Sequence, residues 1–152
     1  MIITVDSNIL LSIFAKDSLY DQAALLLEQY SLHDYIINDV VYLELAVYFG
    51  GLEQLDQVLN KLEVTLLEED RKNHASTLES WTIYLKNRKY HCPHCGKIAK
   101  SVCSKCGSSI KFRQRILADF MIGAFAQTNS EGILTFDTRY YRNYFPKLRI
   151  LQ

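Results

Sequence analysis

MIITVDSN, residues 1–8, opens the chain with a β-branched apolar run, Ile2, Ile3 and Val5, that stops at Asp6, Ser7 and Asn8. A continuous apolar run bounded by polar residues reads as a fully buried strand of a parallel sheet. The residues that follow, Ile9-Leu10-Leu11 through Ile13-Phe14, are periodic and apolar. They read as a helix that Ser7 or Asn8 can cap. Asp6 therefore falls where a buried strand feeds a helix, at the carboxyl end of the sheet, where open α/β folds bind their ligands. Taken alone, Asp6 reads first as a helix-capping carboxylate. Three more acids in similar settings change that reading.

The alternation continues along the chain. Leu19, Ala23, Leu26, Leu27 and Tyr30 share one face of a second helix, with Asp17 or Ser18 as its cap. Residues 35–37 form a short strand, and a helix over 38–49, capped at Asp39, ends at Gly50-Gly51. A helix over 52–62 and a strand over 64–67 follow, then a longer helix over 68–89 with Leu78, Trp81, Ile83 and Leu85 among its buried side chains. Beyond a cysteine-bearing segment, a helix over 112–127, a strand over 132–136, a short helix over 140–144 and a strand over 148–151 complete the pattern. Strands alternating with helices specify an α/β fold, a parallel sheet covered on both faces with right-handed crossovers.

The chain has 152 residues and is 49% hydrophobic, enough for one domain, with or without a small insert. No apolar run approaches the roughly 18 residues needed to span a bilayer. The chain begins as a strand without a basic flank, unlike a signal peptide. A cytoplasmic protein with no membrane partner is expected. The net charge of zero hides a segregation: residues 1–85 hold 14 acids and 4 bases, whereas residues 86–115 hold 9 bases and no acid. Such a cationic segment suits a polyanionic partner, although basic runs are often only solvated.

Asp6 follows the first strand, Glu44 lies on the third helix, and Asp119 interrupts the apolar stretch Leu117-Ala118-Asp119-Phe120-Met121-Ile122. Asp137 follows the strand that ends in Thr135-Phe136. An unpaired acid in an apolar helix is costly to bury. Two bare carboxylates about 4 Å apart repel by roughly 4 kcal/mol at an effective dielectric near 20. A cluster of such groups needs a cation or a shifted protonation state, and a hard divalent ion, Mg²⁺ or Mn²⁺, suits oxygen ligands.

These residues resemble a known family. Val5-Asp6-Ser7-Asn8, Glu44 in a helix, Ala118-Asp119-Phe120-Met121-Ile122-Gly123-Ala124, and Leu134-Thr135-Phe136-Asp137 followed by Tyr144-Phe145-Pro146 look like the PIN domain, and more narrowly the VapC-type toxin ribonucleases. The resemblance covers nearly all of the chain outside 90–110. It implies a three-layer fold with a parallel sheet of about five strands that gathers the acids at one edge. It also implies a metal-dependent endoribonuclease, the toxin of a toxin–antitoxin pair, with an antitoxin as protein partner and a homodimer by analogy. Asp6, Glu44, Asp119 and Asp137 match the family's acidic quartet as catalytic and Mg²⁺- or Mn²⁺-binding residues. Asn8 matches its polar supporter and Thr135 a hydroxyl two residues before the last acid. An rRNA-processing PIN nuclease and a non-catalytic RNA- or protein-binding adaptor are the alternatives.

All four cysteines, Cys92, Cys95, Cys103 and Cys106, fall in C-x2-C-x7-C-x2-C, with a glycine directly after each pair. The spacing suits four thiolates around Zn²⁺, the glycines permitting the tight turns. Disulfides are disfavoured in a cytosolic chain of this kind, and rubredoxin-like iron or a redox pair are lesser alternatives. Four thiolates close the coordination shell, so the zinc is structural and His91 and His94 are bystanders. The expected organisation is a nuclease domain over 1–89 and 111–152 with an inserted zinc ribbon over 90–110, a module that simple toxins of this type lack. Lys97, Lys100, Lys105, Lys111, Arg113 and Arg115 are its candidate RNA-binding residues. Arg139 and Arg142 are weaker candidates for phosphate contact.

Overall fold

A computed structural model describes residues 1–87, 95, 97–98, 101–110 and 116–152. Its centre is β1 (Ile2–Val5), a strand whose Ile3, Thr4 and Val5 are each 0% exposed. Successive strand residues point to opposite faces, so full burial of all three means that both faces of the sheet are covered. Four further parallel strands join it: β2 (Asp34–Ile37), β3 (Val64–Leu66), β6 (Gly132–Leu134) and β7 (Ile150–Leu151), in the order β3-β2-β1-β6-β7. Between β3 and β6 in sequence, β4 (Ser101–Val102) and β5 (Ser109–Ile110) form a separate antiparallel hairpin. The α/β class and the five-stranded parallel sheet agree with expectation.

The helices are α1 (Ser7–Ala15), α2 (Tyr20–Gln29), α3 (Asp39–Phe49), α4 (Leu52–Lys61), α5 (Arg71–Asn87), α6 (Leu117–Asn129) and α7 (Thr138–Tyr144). Helix α3 stops where Gly50 takes a left-handed φ of 71°, a conformation that glycine adopts without steric cost. Helices α5, α6 and α7 are joined by rings: Phe120, 0% exposed, meets Trp81, Tyr84, Tyr140 and Tyr144 at centroid distances of 5.1, 5.3, 5.5 and 5.2 Å. Three of these contacts are edge-to-face and the one with Tyr84 is tilted, and they add to the area that the rings bury. They also fix the residue next to Asp119.

Four local expectations are corrected. Helix α1 begins at Ser7 with Asp6 as its N-cap residue and no side-chain cap, so neither Ser7 nor Asn8 caps it. Helix α2 begins at Tyr20 after Leu19, and α3 is capped by Asn38, whose side chain accepts from the Val41 amide at 3.1 Å, rather than by Asp39. On α5, Leu78, Ile83 and Leu85 are 66%, 50% and 39% exposed, while Asn73, Thr77 and Tyr84 are buried and Trp81 is half-buried. The polar pair is drawn inward because Asn73 accepts from the Asp70 amide at 2.7 Å and donates to the Thr128 hydroxyl of α6.

Candidate active site

The chain order of the sheet reverses between β1 and β6, whose neighbours on either side come from different halves of the sequence. A crevice outside the carboxyl ends of two such strands is where doubly wound sheets bind ligands. Asp6 is the first residue after β1, and Thr135, Phe136 and Asp137 are the first three after β6. The Asp6 amide donates to the Leu134 carbonyl at 3.0 Å, which ties the two strand ends together.

Asp6 is 5% exposed and its hydrogen-bonding side-chain neighbours are all uncharged. Its Oδ2 accepts from Asn8 Nδ2 at 2.9 Å, the Thr135 hydroxyl at 2.7 Å and the Tyr141 hydroxyl at 3.2 Å. Its Oδ1 meets only the Ser7 hydroxyl among these, at a long 3.4 Å. Burial pushes the Asp6 carboxyl up to about 6 and the nearby Glu44 charge adds to the rise, against the lowering effect of the Thr135 and Tyr141 hydroxyls. Thr135 does more than hold Asp6: its oxygen also accepts from Asn8 Nδ2 at 3.2 Å and from the Asp137 amide at 3.0 Å. Asn8 closes the loop by accepting from the Phe136 amide at 3.2 Å.

The other acids stand around this centre. Glu44, on α3, is near enough for its charge to act on Asp6. Asp119 occupies the first turn of α6, where its Oδ2 accepts from the Ile116 amide at 3.2 Å. Charges on both Asp6 and Asp119 act on the Tyr141 hydroxyl, which burial pushes well above the ordinary phenol value. Asp137 opens α7 and reaches Asp6 through the Thr135 hydroxyl. Asp6 and Glu44, and Asp6 and Asp119, are thus brought into one neighbourhood, with Asp137 at its border. Among the described residues, however, no three His, Cys, Asp or Glu side chains close around a single point.

Tyr141 is the residue that motif reading missed. It lies four residues after Asp137, one turn along α7, and is 2% exposed. A buried tyrosine hydroxyl needs a partner, which here is Asp6 beyond the end of β1, and the sequence alone carries no signal of that pairing.

Of the cysteines, Cys95 and Cys106 are exposed and Cys103 half-buried, while Cys92, His91 and His94 lie outside the described residues. Cys103 and Cys106 occupy the turn of the β4–β5 hairpin, where the Cys103 amide donates to the Ser108 carbonyl at 2.9 Å and the Gly107 amide to the Cys103 carbonyl at 2.8 Å. Gly107 there has a φ of 72°, which a side chain would strain. Lys97 and Lys105 are exposed; Lys100, Lys111, Arg113 and Arg115 lie outside the described residues.

A sequence model of the PIN domain matches residues 3–146. The chain belongs to the PIN-domain family. PIN domains are in general nucleases that use divalent metals such as Mg²⁺. The fold of this PIN domain is similar to chains in three solved structures. One is VapBC-1 from nontypeable Haemophilus influenzae, 18% identical with a TM-score of 0.62 over 100% of this chain and 98% of that one. Another is FitAcB from Neisseria gonorrhoeae, 15% identical with a TM-score of 0.62 over 99% and 96% of the two chains. The third is VapBC2 from Rickettsia felis, bound to a DNA fragment from its promoter, 16% identical with a TM-score of 0.59 over 99% and 97%. At these identities the likeness is one of fold. No curated protein matches this PIN domain. Among its described residues, no helix is long and apolar enough to cross a membrane.

The donor set fits the hard divalent cation that the family uses. It consists of carboxylate oxygens, with one of them, Asp6, buried among uncharged donors and raised in pKa by that burial.

Proposed function

We propose that this PIN domain is a Mg²⁺- or Mn²⁺-dependent endoribonuclease, the toxin of a toxin–antitoxin pair. The reading is carried by Asp6, a buried carboxylate at the switch point of the sheet, with its Oδ2 held by three uncharged donors, Glu44 acting on its charge and Asp119 acting on the Tyr141 hydroxyl that holds it. Asp6, Glu44, Asp119 and Asp137 would hold the cation. When bound, it supplies positive charge to the scissile phosphate and lowers the pKa of a water. The chain's own part is orientation. Asn8, Thr135 and Tyr141 hold Asp6 Oδ2 in place, and Thr135 fixes the backbone from which Asp137 projects, so that Asp6 would be oriented for the cation. Likeness of fold to chains in VapBC and FitAcB complexes supports an antitoxin as the protein partner.

We further read Cys92, Cys95, Cys103 and Cys106 as a closed structural zinc site, supported by the turn that already carries two of them. The segment over 90–110 would then present its lysines to RNA beside Asp119. Phosphate contacts of that kind weaken steeply with salt.

Cleavage of a mixed RNA pool with Mg²⁺ or Mn²⁺, compared between the wild type and Asp6→Asn, tests the nuclease. Metal-dependent cutting that disappears in the variant is expected. The separation of the acids favours one competing reading, an RNA-binding adaptor. RNA that binds but stays intact with every metal tried would establish the adaptor instead.

A further inference from the structure

Beside the acids lies a crevice of about 380 Å³ that the proposed chemistry does not use. Helix α2 forms one wall with Gln22, Leu25 and Leu26, and the segment after β6 forms the other with Thr135, Phe136 and Thr138. Gln152 closes its edge. The crevice adjoins the site through two residues. Thr135 lines it while donating to Asp6, and Phe136 lines it while its amide donates to Asn8.

The lining states what it can take. No charged side chain faces it, so it is not built for a phosphate. Its volume is at the small end of ligand pockets, about 300–1,000 Å³, a space for one compact group. Leucine side chains and a half-buried phenyl ring offer apolar surface, and every nucleobase has a π face to lay on such a ring. Two amides and a hydroxyl at the rim offer hydrogen bonds to a base edge. Gln152 is oriented as well: Arg142 Nη2 donates to its Oε1 at 3.3 Å. A guanidinium only donates, so the amide nitrogen is the group that Gln152 has for a ligand, and it asks for a carbonyl acceptor.

We propose that this crevice binds one unstacked nucleobase of the RNA next to the scissile phosphate, stacked on Phe136 and selected by Gln22, Thr138 and Gln152 for a ring carbonyl. Uracil, guanine and cytosine have such a carbonyl and adenine does not. This selectivity rests on the ribonuclease reading, while occupancy of the crevice does not require cleavage.

The test uses the full chain carrying Asp6→Asn, short RNAs bearing a single 5-iodouridine, and mapping of the photo-cross-link by mass spectrometry. Cross-links on the peptides containing Leu25 and Leu26 or Phe136 are expected. Phe136→Leu, which keeps the bulk and removes the π face, should lower cross-linking by about tenfold, in the range for losing one base-stacking ring. In the wild-type background, sequenced cut ends should disfavour adenine at one position, and Phe136→Leu or Gln152→Ala should flatten that preference. Cross-links confined to the basic 97–115 segment, or an unchanged base preference in both variants, would overturn the crevice and leave the nuclease standing. Crevice cross-links without cleavage by the wild type would overturn the nuclease alone. If Phe136→Leu keeps every RNA readout but loses a co-expressed partner protein, the crevice is a protein groove and the proposal fails.

Discussion

The Thr135 hydroxyl donates to Asp6 Oδ2 at 2.7 Å and so joins the ends of two parallel strands that are 129 residues apart in sequence. The same oxygen accepts from the Asp137 amide, making one side chain common to two acids. Thr135→Val keeps the shape and removes both bonds together with the one from Asn8 Nδ2. It should destabilise the fold by about 1–3 kcal/mol, the usual cost of leaving buried polar groups without partners. Cleavage should fall by about ten- to a hundredfold, as for other residues that orient metal-binding groups. Thr135→Ser should recover most of both. Urea unfolding and initial cleavage rates measure them, and wild-type values for the valine variant would remove Thr135 from the site.

Asp6 gives the fold a pH dependence opposite to that of a salt-bridged acid. Its carboxyl stands at about 6 in the folded chain against 3.8 ordinarily. The folded state therefore holds more proton between those values, and stability falls as pH rises through that window. Above it the penalty is roughly 3 kcal/mol. Asp6→Asn removes the charge, its carbonyl can take the three donors now on Oδ2, and its NH₂ can meet the Ser7 hydroxyl. Without divalent ions the variant should be the more stable protein at pH 7.5, by up to that amount, and should lose the advantage near pH 4. Mg²⁺ should narrow the gap at pH 7.5 by stabilising the wild type alone. A gap independent of pH would mean that the Asp6 charge is not buried in solution.

Gly123 lets the Phe145 ring lie against α6. A Cβ at this position would stand 2.2 Å from the ring's Cε2, and the ring is 1% exposed, so it has nowhere to turn. Gly123→Ala should cost about 1–3 kcal/mol through overpacking, although alanine is the better helix former. Phe145→Leu should cost less in the Gly123→Ala background than in the wild type, because the contact it relieves is the one the alanine creates. Additive losses in urea unfolding would locate the strain elsewhere.

Much of this fold is legible in sequence because its local signals agree. The run at residues 2–5 forms β1 and is buried from Ile3 on, with Ile2 exposed at its start, and Gly50 ends α3 with the backbone that only glycine takes easily. Asp6 and Thr135 each stand one residue past a strand end, and the resemblance to the PIN family set Asn8 and Thr135 beside Asp6 as its supporters. Three features were not legible, for one reason: each depends on a distant partner. Asn8 looks like a cap for α1, but its amide serves Asp6 and Phe136 across the strand ends. On α5, Asn73 is buried because Asp70 and Thr128 satisfy its amide, which leaves Leu78 outside. Tyr141 belongs to the site because its hydroxyl reaches Asp6, 135 residues earlier in the chain, a pairing that helical periodicity does not encode.

Asn38 links the third helix to the segment between β3 and α5. Its Oδ1 caps α3 at the Val41 amide, and its Nδ2 donates to Glu69 Oε1 at 2.6 Å. Burial raises the Glu69 carboxyl, opposed by this bond and by the charge of His74. Helix α3 carries Glu44, so the cap sets where that acid starts its reach toward Asp6. Asn38→Ala should destabilise by about 1 kcal/mol from the lost cap, and by more because Glu69 then keeps a buried, unpaired oxygen. Asn38→Asp should be worse near neutral pH, since it keeps the cap but sets a second carboxylate against Glu69, and it should recover as acid protonates the pair.

Zinc content decides what the cysteine segment is. Protein purified without chelators should carry about one zinc per chain by elemental analysis, and Cys95→Ser or Cys103→Ser should lose it. A segment of this length has no core of its own, so metal binding is what would order it. Removing the zinc should expose Lys97, Lys100 and Lys105 to trypsin, while residues 1–87 and 116–152 keep their cooperative unfolding. RNA binding should weaken in parallel and lose part of its salt dependence, because cations that the zinc held in place no longer face the phosphates together. Metal-free protein with the same trypsin pattern and the same salt slope would separate the cysteines from both zinc and RNA.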